Sequence, residues 1–299
     1  MAFEDPTLGT LEFFQSLRES CPDFIVSLAD IVSGNAIYIY LPIALSAWIF
    51  WFRDRRKGEF ILVNLFSTLS INGLLKNLIK QPRPWLRDVS LEPYGRSGSY
   101  SYSFPSGHAS SAASGWGSLA LIFRNRTFSV MAVAIIVCVC ISRMFLGMHT
   151  PLEVLAGVGV AVAIITINAR LLSLAYTSYE SFSYVFLGYI VAMIPLAVVS
   201  LMNMYHVSRS ASLGMGLYFG YFIGRLIDHG CFSSEIPNFD NTHTLLYLII
   251  GLIPIGILAL VLPEMMDRTA GDVIAGLLSG VWTSLLYPLI LSRLSCSER

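Results

Sequence analysis

The sequence predicts an all-α integral membrane bundle of about nine spanning helices. Of its 299 residues, 55% are hydrophobic and only 13% are charged, whereas soluble domains carry roughly a quarter of charged residues. Apolar windows close to the length of about 20 residues that a spanning helix needs recur along the chain. The 19 basic and 19 acidic residues cancel. The composition therefore argues against a soluble globule, a disordered chain and a nucleic-acid-binding protein.

The N-terminal segment 1–35 is acidic and lacks the basic start of a cleavable signal peptide. Apolar side chains recur at helical spacing within 8–17 and within 24–31, a pattern typical of amphipathic helices. We expect this segment to form short helices. They either lie at the bilayer surface or pack as a cap on the membrane domain.

Nine windows after this segment have, or nearly have, the length and apolar character of a membrane span. The windows are 36–52, 59–79, 105–123, 127–145, 151–174, 181–202, 212–228, 244–262 and 271–291. Arg225 and Asp228 crowd the end of the seventh window, which weakens it as a span. The first six windows fall in a predicted unit 36–202, and the last three fall in a predicted C-terminal extension 203–299.

The distribution of Lys and Arg predicts the orientation of the bundle, because these residues favour cytoplasmic loops. The basic run at 53–57 follows the first window and places the acidic N-terminus outside. Segment 76–96 is the exception, since its five cations fall on the outer face and suggest a local use for positive charge. These cations are Lys76, Lys80, Arg83, Arg87 and Arg96. Arg87 and Arg96 belong to no motif, and we expect them to be solvated loop residues.

Three outer-face segments, each next to a helix end, carry residues suited to an oxyanion. Lys76, Arg83 and Arg143 supply positive charge, and guanidinium groups match phosphate oxygens with two parallel hydrogen bonds. Ser106 and Gly107 stand at a predicted helix N-terminus, where free backbone N–H groups favour an anion. These residue types predict a phosphate site.

Two histidines beside such a site can divide the work of phosphoryl transfer. His149 precedes Glu153 by four residues, so a helical turn would let the carboxylate hold one ring nitrogen and leave the other as nucleophile. His108 is then the better general acid. Thr150 and Glu153 also have the spacing of a helix capping box, an alternative structural role for this carboxylate.

These residues, in this order and spacing, resemble the phosphatidic acid phosphatase type 2 superfamily. The three blocks read KNLIKQPRP from Lys76, PSGH from Pro105 and SRMFLGMHTPLE from Ser142. One position departs from the family pattern, because Glu153 stands where the family usually has Asp.

The resemblance implies a role for each motif residue. Lys76, Arg83, Ser106, Gly107 and Arg143 would bind phosphate. His149 would form a phosphohistidine with Glu153 as its partner, and His108 would protonate the leaving alcohol and then activate water. The resemblance further implies that 36–202 is a six-helix phosphatase core and that catalysis needs no metal or other cofactor.

The expected function is hydrolysis of a lipid phosphate, such as phosphatidate, a sphingoid-base phosphate or a polyprenyl phosphate or diphosphate. The alternatives are a phosphatase for a soluble sugar phosphate such as glucose 6-phosphate and, from another class, a transporter of a phosphate-bearing solute. Membrane lipids are the other expected partners, and no nucleic acid is expected. The site would face the periplasm or exterior from a bacterial inner membrane, or the lumen of a eukaryotic endoplasmic reticulum.

Overall fold

The computed structural model describes residues 5–95, 101–202, 209–237, 239 and 241–297, and within these ranges the chain is helical with no β-strand. The helices are α1 (Thr10–Ser20), α2 (Asp23–Val32), α3 (Leu41–Phe52), α4 (Arg55–Ile79), α5 (Pro84–Arg87), α6 (Gly107–Phe123), α7 (Arg126–Phe145), α8 (Pro151–Ala175), α9 (Tyr179–Met202), α10 (Arg209–Ile227), α11 (Asn241–Met265), α12 (Arg268–Val281) and α13 (Tyr287–Ser297). Short π-helical turns precede α3, follow α10 and join α12 to α13. The prediction of an all-α fold is confirmed.

Each of the nine predicted windows contains a helix. Among the described residues, six helical stretches are long and apolar enough to cross a membrane. They are Asp23–Phe52, Arg55–Arg87, Arg126–Phe145, Pro151–Ala175, His243–Met265 and Arg268–Ser295. These stretches support a multi-pass membrane protein, while the count of nine stays a prediction. The first of them extends back to Asp23 instead of starting near residue 36, although α2 ends at Val32 and a turn at 33–34 separates it from the helical residues that lead into α3.

Helix α4 lies at the centre of the bundle and packs on α6 through small and polar side chains. Hydrogen bonds of 3.0 Å join Asn64 Nδ2 to Ser118 Oγ, Thr68 Oγ1 to Ser114 Oγ, and Asn72 Nδ2 to Ser110 Oγ. The partners recur every four residues on both helices, so they form one ladder along the shared face. This ladder fixes the register of the two helices and brings the end of α4 beside the start of α6.

The beginnings of α6 and α8 are in direct contact. A Cβ on Gly157 would lie 2.5 Å from the carbonyl oxygen of Ser106, closer than real contacts allow. The Ser106 N–H donates to the Glu153 carbonyl at 2.9 Å. Glycine therefore permits the approach that joins the second motif to the third.

The N-terminal segment forms the two predicted short helices, α1 and α2, and both pack against α7. Arg18 donates to the carbonyl oxygens of Phe145, at 3.1 Å, and of Glu92. Other large apolar side chains of the segment, among them Phe13 and Phe24, are exposed. The segment thus caps the end of α7 and keeps an apolar face that suits the bilayer surface.

A second buried ionic cluster explains the charges at the end of α10. Arg225 pairs with Glu59 at 2.5 Å and with Asp228 at 2.8 Å, and Asp228 also pairs with Arg55 at 3.0 Å. Glu59 lies in the second turn of α4, 17 residues before Lys76 in the last turn, a separation of about 25 Å along a helix. The charges that weaken the seventh window are therefore compensated inside the protein, far from the predicted site.

Candidate active site

The three sequence blocks meet at one end of the bundle. Lys76 lies in the last turn of α4 and Arg83 immediately precedes α5, while Arg143 lies in the last turn of α7. Ser106 caps α6, and Glu153 lies in the first turn of α8. Residues from all three blocks contact one another directly through the backbone bond between Ser106 and Glu153 and through the contact of Arg83 with His149.

Lys76 points into the protein and not toward solvent. Its side chain is buried, and Nζ donates to the carbonyl oxygens of Tyr102 at 2.6 Å and Ser103 at 3.2 Å. Lys80, one turn later, ends α4 in a left-handed conformation. The ammonium group of Lys76 is therefore fixed beside the loop that leads into α6.

The Arg83 guanidinium bridges the loop before α6 and the loop before α8. Its Nε donates to the Ser101 carbonyl at 2.8 Å and its Nη2 to Ser101 Oγ at 2.9 Å. Its Nη1 lies 3.1 Å from His149 Nε2. Because a guanidinium can only donate, Nε2 accepts in this contact.

Arg143 is buried, and Nη1 donates to Ser33 Oγ just after α2. Its Nε is a buried donor without a hydrogen-bond partner among the described residues. A buried unsatisfied donor costs free energy, so Arg143 Nε is suited to donate a hydrogen bond to an anionic ligand.

Ser106 and Gly107 begin α6 as predicted. Ser106 Oγ is buried and accepts the Ala109 N–H at 3.5 Å as the helix cap. A Cβ on Gly107 would lie 3.5 Å from Asn72 Oδ1 and 4.0 Å from Lys76 Cε. The first turn of α6 thus lies directly beside the Lys76 side chain, with its N–H groups at the positive end of the helix dipole.

His149 is held on both ring nitrogens. Gly147, at φ +70°, makes the turn that delivers it from the end of α7. Nδ1 lies 2.9 Å from Glu153 Oε2, and Nε2 faces Arg83. The tautomer that satisfies both contacts carries its proton on Nδ1 and a lone pair on Nε2.

Glu153 fulfils both roles that the sequence left open. It forms a capping box with Thr150, since the Glu153 N–H donates to Thr150 Oγ1 at 3.3 Å and the Thr150 N–H donates to Glu153 Oε2 at 3.2 Å. The same oxygen accepts Ser103 Oγ at 2.5 Å and faces His149. The cap therefore aims the carboxylate at the imidazole.

His108 lies in the first turn of α6 and is half-buried. Its ring packs against Tyr38, with centroids 4.3 Å apart and planes tilted by 39°. Burial first, and then Arg143, Arg83 and Lys76, lower the pKa of His108 well below its usual value. Both imidazoles thus border the same group of cations.

His149 is neutral at physiological pH. Burial first, and then the nearby cations, led by Arg83, lower the pKa of His149 well below its usual value. A neutral imidazole keeps the Nε2 lone pair that a nucleophile needs.

The prediction that Arg87 is a solvated loop residue is wrong. Its side chain is only 10% exposed and pairs with Glu153 Oε1 at 2.5 Å and Asp5 Oδ2 at 3.2 Å. The excess of outer cations in the sequence was the available signal, but nothing in the sequence spacing connects Arg87 to residues 5 and 153. Ser103 was missed for the same reason, and Arg96 lies outside the described residues.

Comparisons with known proteins show the family to which this chain belongs. The family model described as the PAP2 superfamily matches residues 59–177, which include all three blocks. Undecaprenyl-diphosphatase BcrC of Bacillus subtilis is 30% identical over 141 residues, covering 46% of this chain and 70% of that protein. The chain belongs to the PAP2 superfamily.

A second PAP2 relative is the lipid A 1-phosphatase of Rhizobium etli. It is 32% identical over 115 residues, covering 34% of this chain and 49% of that protein. No solved structure matches the chain. Both relatives are named as phosphatases, and the protein is a membrane phosphatase of this superfamily.

Proposed function

We propose that this PAP2 protein hydrolyses a lipid phosphate ester through a phosphohistidine on His149. The observation that carries the proposal is the state of this imidazole, with Nδ1 on Glu153 and the Nε2 lone pair directed at Arg83. Such an arrangement gives a nucleophile on one side of the ring and an orienting carboxylate on the other.

Phosphate binding requires Arg83 to exchange one partner. Its Nη1–H, which now donates to Nε2, turns to a phosphate oxygen and exposes the lone pair to phosphorus. Lys76, Arg143 Nε and the first-turn N–H groups of α6 supply further donors for the other oxygens. Cations arranged in advance stabilise the charge of the transition state without reorganisation.

In the first chemical step, Nε2 of His149 attacks phosphorus and the bond from phosphorus to the lipid oxygen breaks. Binding of the anionic phosphate among Lys76, Arg83 and Arg143 offsets the cations that keep His108 neutral, so His108 takes up a proton with the substrate and gives it to this departing alkoxide. The positive charge that develops on His149 is stabilised through Nδ1–H by Glu153. The products are a phosphohistidine, neutral His108 and the free alcohol.

In the second step, neutral His108 takes a proton from water as the water oxygen attacks phosphorus. The bond from phosphorus to Nε2 then breaks, releasing inorganic phosphate and restoring both histidines. Each bond formed or broken is thus accounted for by groups of this chain and one water molecule.

A lipid is the substrate class we favour. The two relatives are named for undecaprenyl diphosphate and lipid A, and the apolar helices of this chain support a site that a membrane lipid can reach. We further propose that the site opens on the non-cytoplasmic face, as the basic loop at 53–57 predicts.

The test is a substrate panel with the purified protein in detergent and chelator. We expect phosphate release from phosphatidate or polyprenyl phosphates in mixed micelles, and none from the His149→Ala variant. A preference for glucose 6-phosphate would overturn the lipid assignment. Absence of phosphate release from every substrate would overturn hydrolysis itself and favour transport of a phosphate-bearing solute.

A further inference from the structure

We propose that Arg87, held in turn by Asp5, is a positioning residue for the reaction of His149. This inference rests on the proposed function, because it concerns the carboxylate that orients the nucleophile. The sequence motifs contain neither residue. Their role follows from a chain of contacts that runs from the N-terminal segment to the imidazole.

Arg87 uses its two terminal nitrogens on two different carboxylates. Nη2 donates to Glu153 Oε1 at 2.5 Å, and Nη1 donates to Asp5 Oδ2 at 3.2 Å. The guanidinium is nearly buried, and both carboxylate side chains are fully buried. Charge-assisted hydrogen bonds in such surroundings are strong and directional.

The contact divides the two oxygens of Glu153 between two tasks. Oε2 accepts the Thr150 N–H and Ser103 Oγ and faces His149, whereas Oε1 is bound by Arg87. Without Arg87, Oε1 would lose this buried partner, and rotation of the carboxylate would move Oε2 away from the imidazole. A glutamate has one more rotatable bond than the aspartate usual at this position. More side-chain conformational freedom must therefore be restricted to hold its carboxylate in place.

Asp5 fixes the other end of this contact. Its Oδ2 also accepts Thr150 Oγ1 at 2.6 Å, and its Oδ1 accepts the N–H and the hydroxyl of Thr7. Burial disfavours its charge, but the hydrogen bonds from Thr150, Thr7 and Arg87 outweigh this effect and lower the pKa of Asp5. Asp5 therefore stays ionised and holds both Arg87 and the cap residue of α8.

The same segment reaches the site again through Ser33, which accepts from Arg143. Tyr38, in the π-helical turn that follows the segment, packs on His108. Asp5 is nevertheless the residue that connects the segment to the nucleophile, by way of Arg87 and Glu153. The role of the N-terminal segment is thus specific, and a cap that only covers the site would not require these ion pairs.

The experiment compares Arg87→Gln, Arg87→Lys, Asp5→Asn and Glu153→Gln in the full-length protein, with a lipid phosphate as substrate. We expect Arg87→Gln to lower kcat about tenfold or more with little change in KM, as loss of an orienting partner does. Arg87→Lys retains the charge and should recover part of this loss. Asp5→Asn should lower kcat by a smaller factor, because Arg87 can still reach Glu153.

The decisive comparison is the double variant Arg87→Gln/Glu153→Gln. If Arg87 acts through Glu153, its substitution should lower kcat by less than about twofold once Glu153 is already changed. Arg55→Gln is the matched control, since Arg55 is about as buried as Arg87 and pairs with the buried Asp228 at 3.0 Å at the opposite end of α4 from Lys76, and its kcat should equal that of the wild type.

Additive effects on kcat in the double variant would overturn the positioning role. So would an Arg87→Gln variant that has a lower melting temperature and a smaller active fraction but an unchanged kcat. This failure is distinguishable from failure of the proposed function. In the first case Glu153→Gln alone still lowers kcat, and Arg87→Gln either has no effect or adds an independent one, whereas in the second case Glu153→Gln and His149→Ala both remain active.

Discussion

Glu153 Oε2 lies 2.9 Å from His149 Nδ1 and, at the same time, accepts the backbone N–H of Thr150, which completes the capping box of α8. The hydrogen bond that starts α8 therefore also sets the direction of the imidazole. A longer side chain than the usual aspartate is accommodated because the cap and Arg87 fix it at both oxygens.

The first prediction concerns the charge of Glu153. Glu153→Gln keeps an oxygen for the cap but removes the negative charge that stabilises a positive imidazole in the transition state. We expect kcat to fall at least about tenfold, with a smaller effect on thermal unfolding. Steady-state kinetics and melting curves of the same preparation measure the two effects. A loss of stability with unchanged kcat would mean that Glu153 only caps α8.

The second prediction separates the two histidines. His149→Ala should abolish phosphate release from every substrate, because no nucleophile remains. His108→Ala should abolish release from lipid phosphates but still be phosphorylated by an aryl phosphate, whose leaving group needs no proton. Quenched-flow measurement of aryl alcohol release should show a single burst in this variant. Absence of the burst would mean that His108 does more in the first step than protonate the leaving group.

The third prediction follows from the lowered pKa of His149. An unfolded histidine takes up a proton near its usual pKa of about 6.5, but folded His149 does so only at lower pH. The unfolded chain then binds more protons, so His149 makes the protein less stable as the pH falls below about 6.5. We expect His149→Gln to show a weaker loss of melting temperature between pH 7 and pH 5. If the melting temperatures of the wild type and of His149→Gln fall equally from pH 7 to pH 5, His149 is not buried and neutral.

The fourth prediction tests the contact between α6 and α8. Gly157→Ala places a Cβ 2.5 Å from the Ser106 carbonyl oxygen and should destabilise the protein by about 1–3 kcal/mol while lowering kcat. Gly159→Ala is the matched control, because a Cβ there meets nothing within 4 Å. Helix propensity predicts that this control is neutral or slightly more stable. Equal behaviour of the two variants would show that the close contact does not position the site.

Much of the fold was predictable because membrane helices are long, continuous apolar stretches of sequence. Long apolar windows predicted the helices, since backbone groups in lipid must be satisfied within the helix. The first span was the least well predicted. The first candidate stretch extends back to Asp23, into an acidic region where the charge pattern favours an interfacial helix over a span.

The candidate site was predictable where contacts are local or the motif is specific. The four-residue spacing of His149 and Glu153 implied their contact once a helical turn lay between them. Arg87 and Asp5 were not predictable, because their contacts cross 66 and 82 residues of chain. Nothing in periodicity or local charge encodes such a pairing, and only the packing of the N-terminal segment reveals it.

The most direct test of the account is to locate the phosphoryl group in the enzyme during turnover. The protein is mixed with a lipid phosphate, quenched in alkali, in which a phosphohistidine survives, digested, and analysed by mass spectrometry. The phosphohistidine mechanism predicts phosphate on the peptide that contains His149, and no phosphorylated peptide in the His149→Ala variant. Phosphate on any other residue, or full turnover without a phosphorylated enzyme, would contradict it.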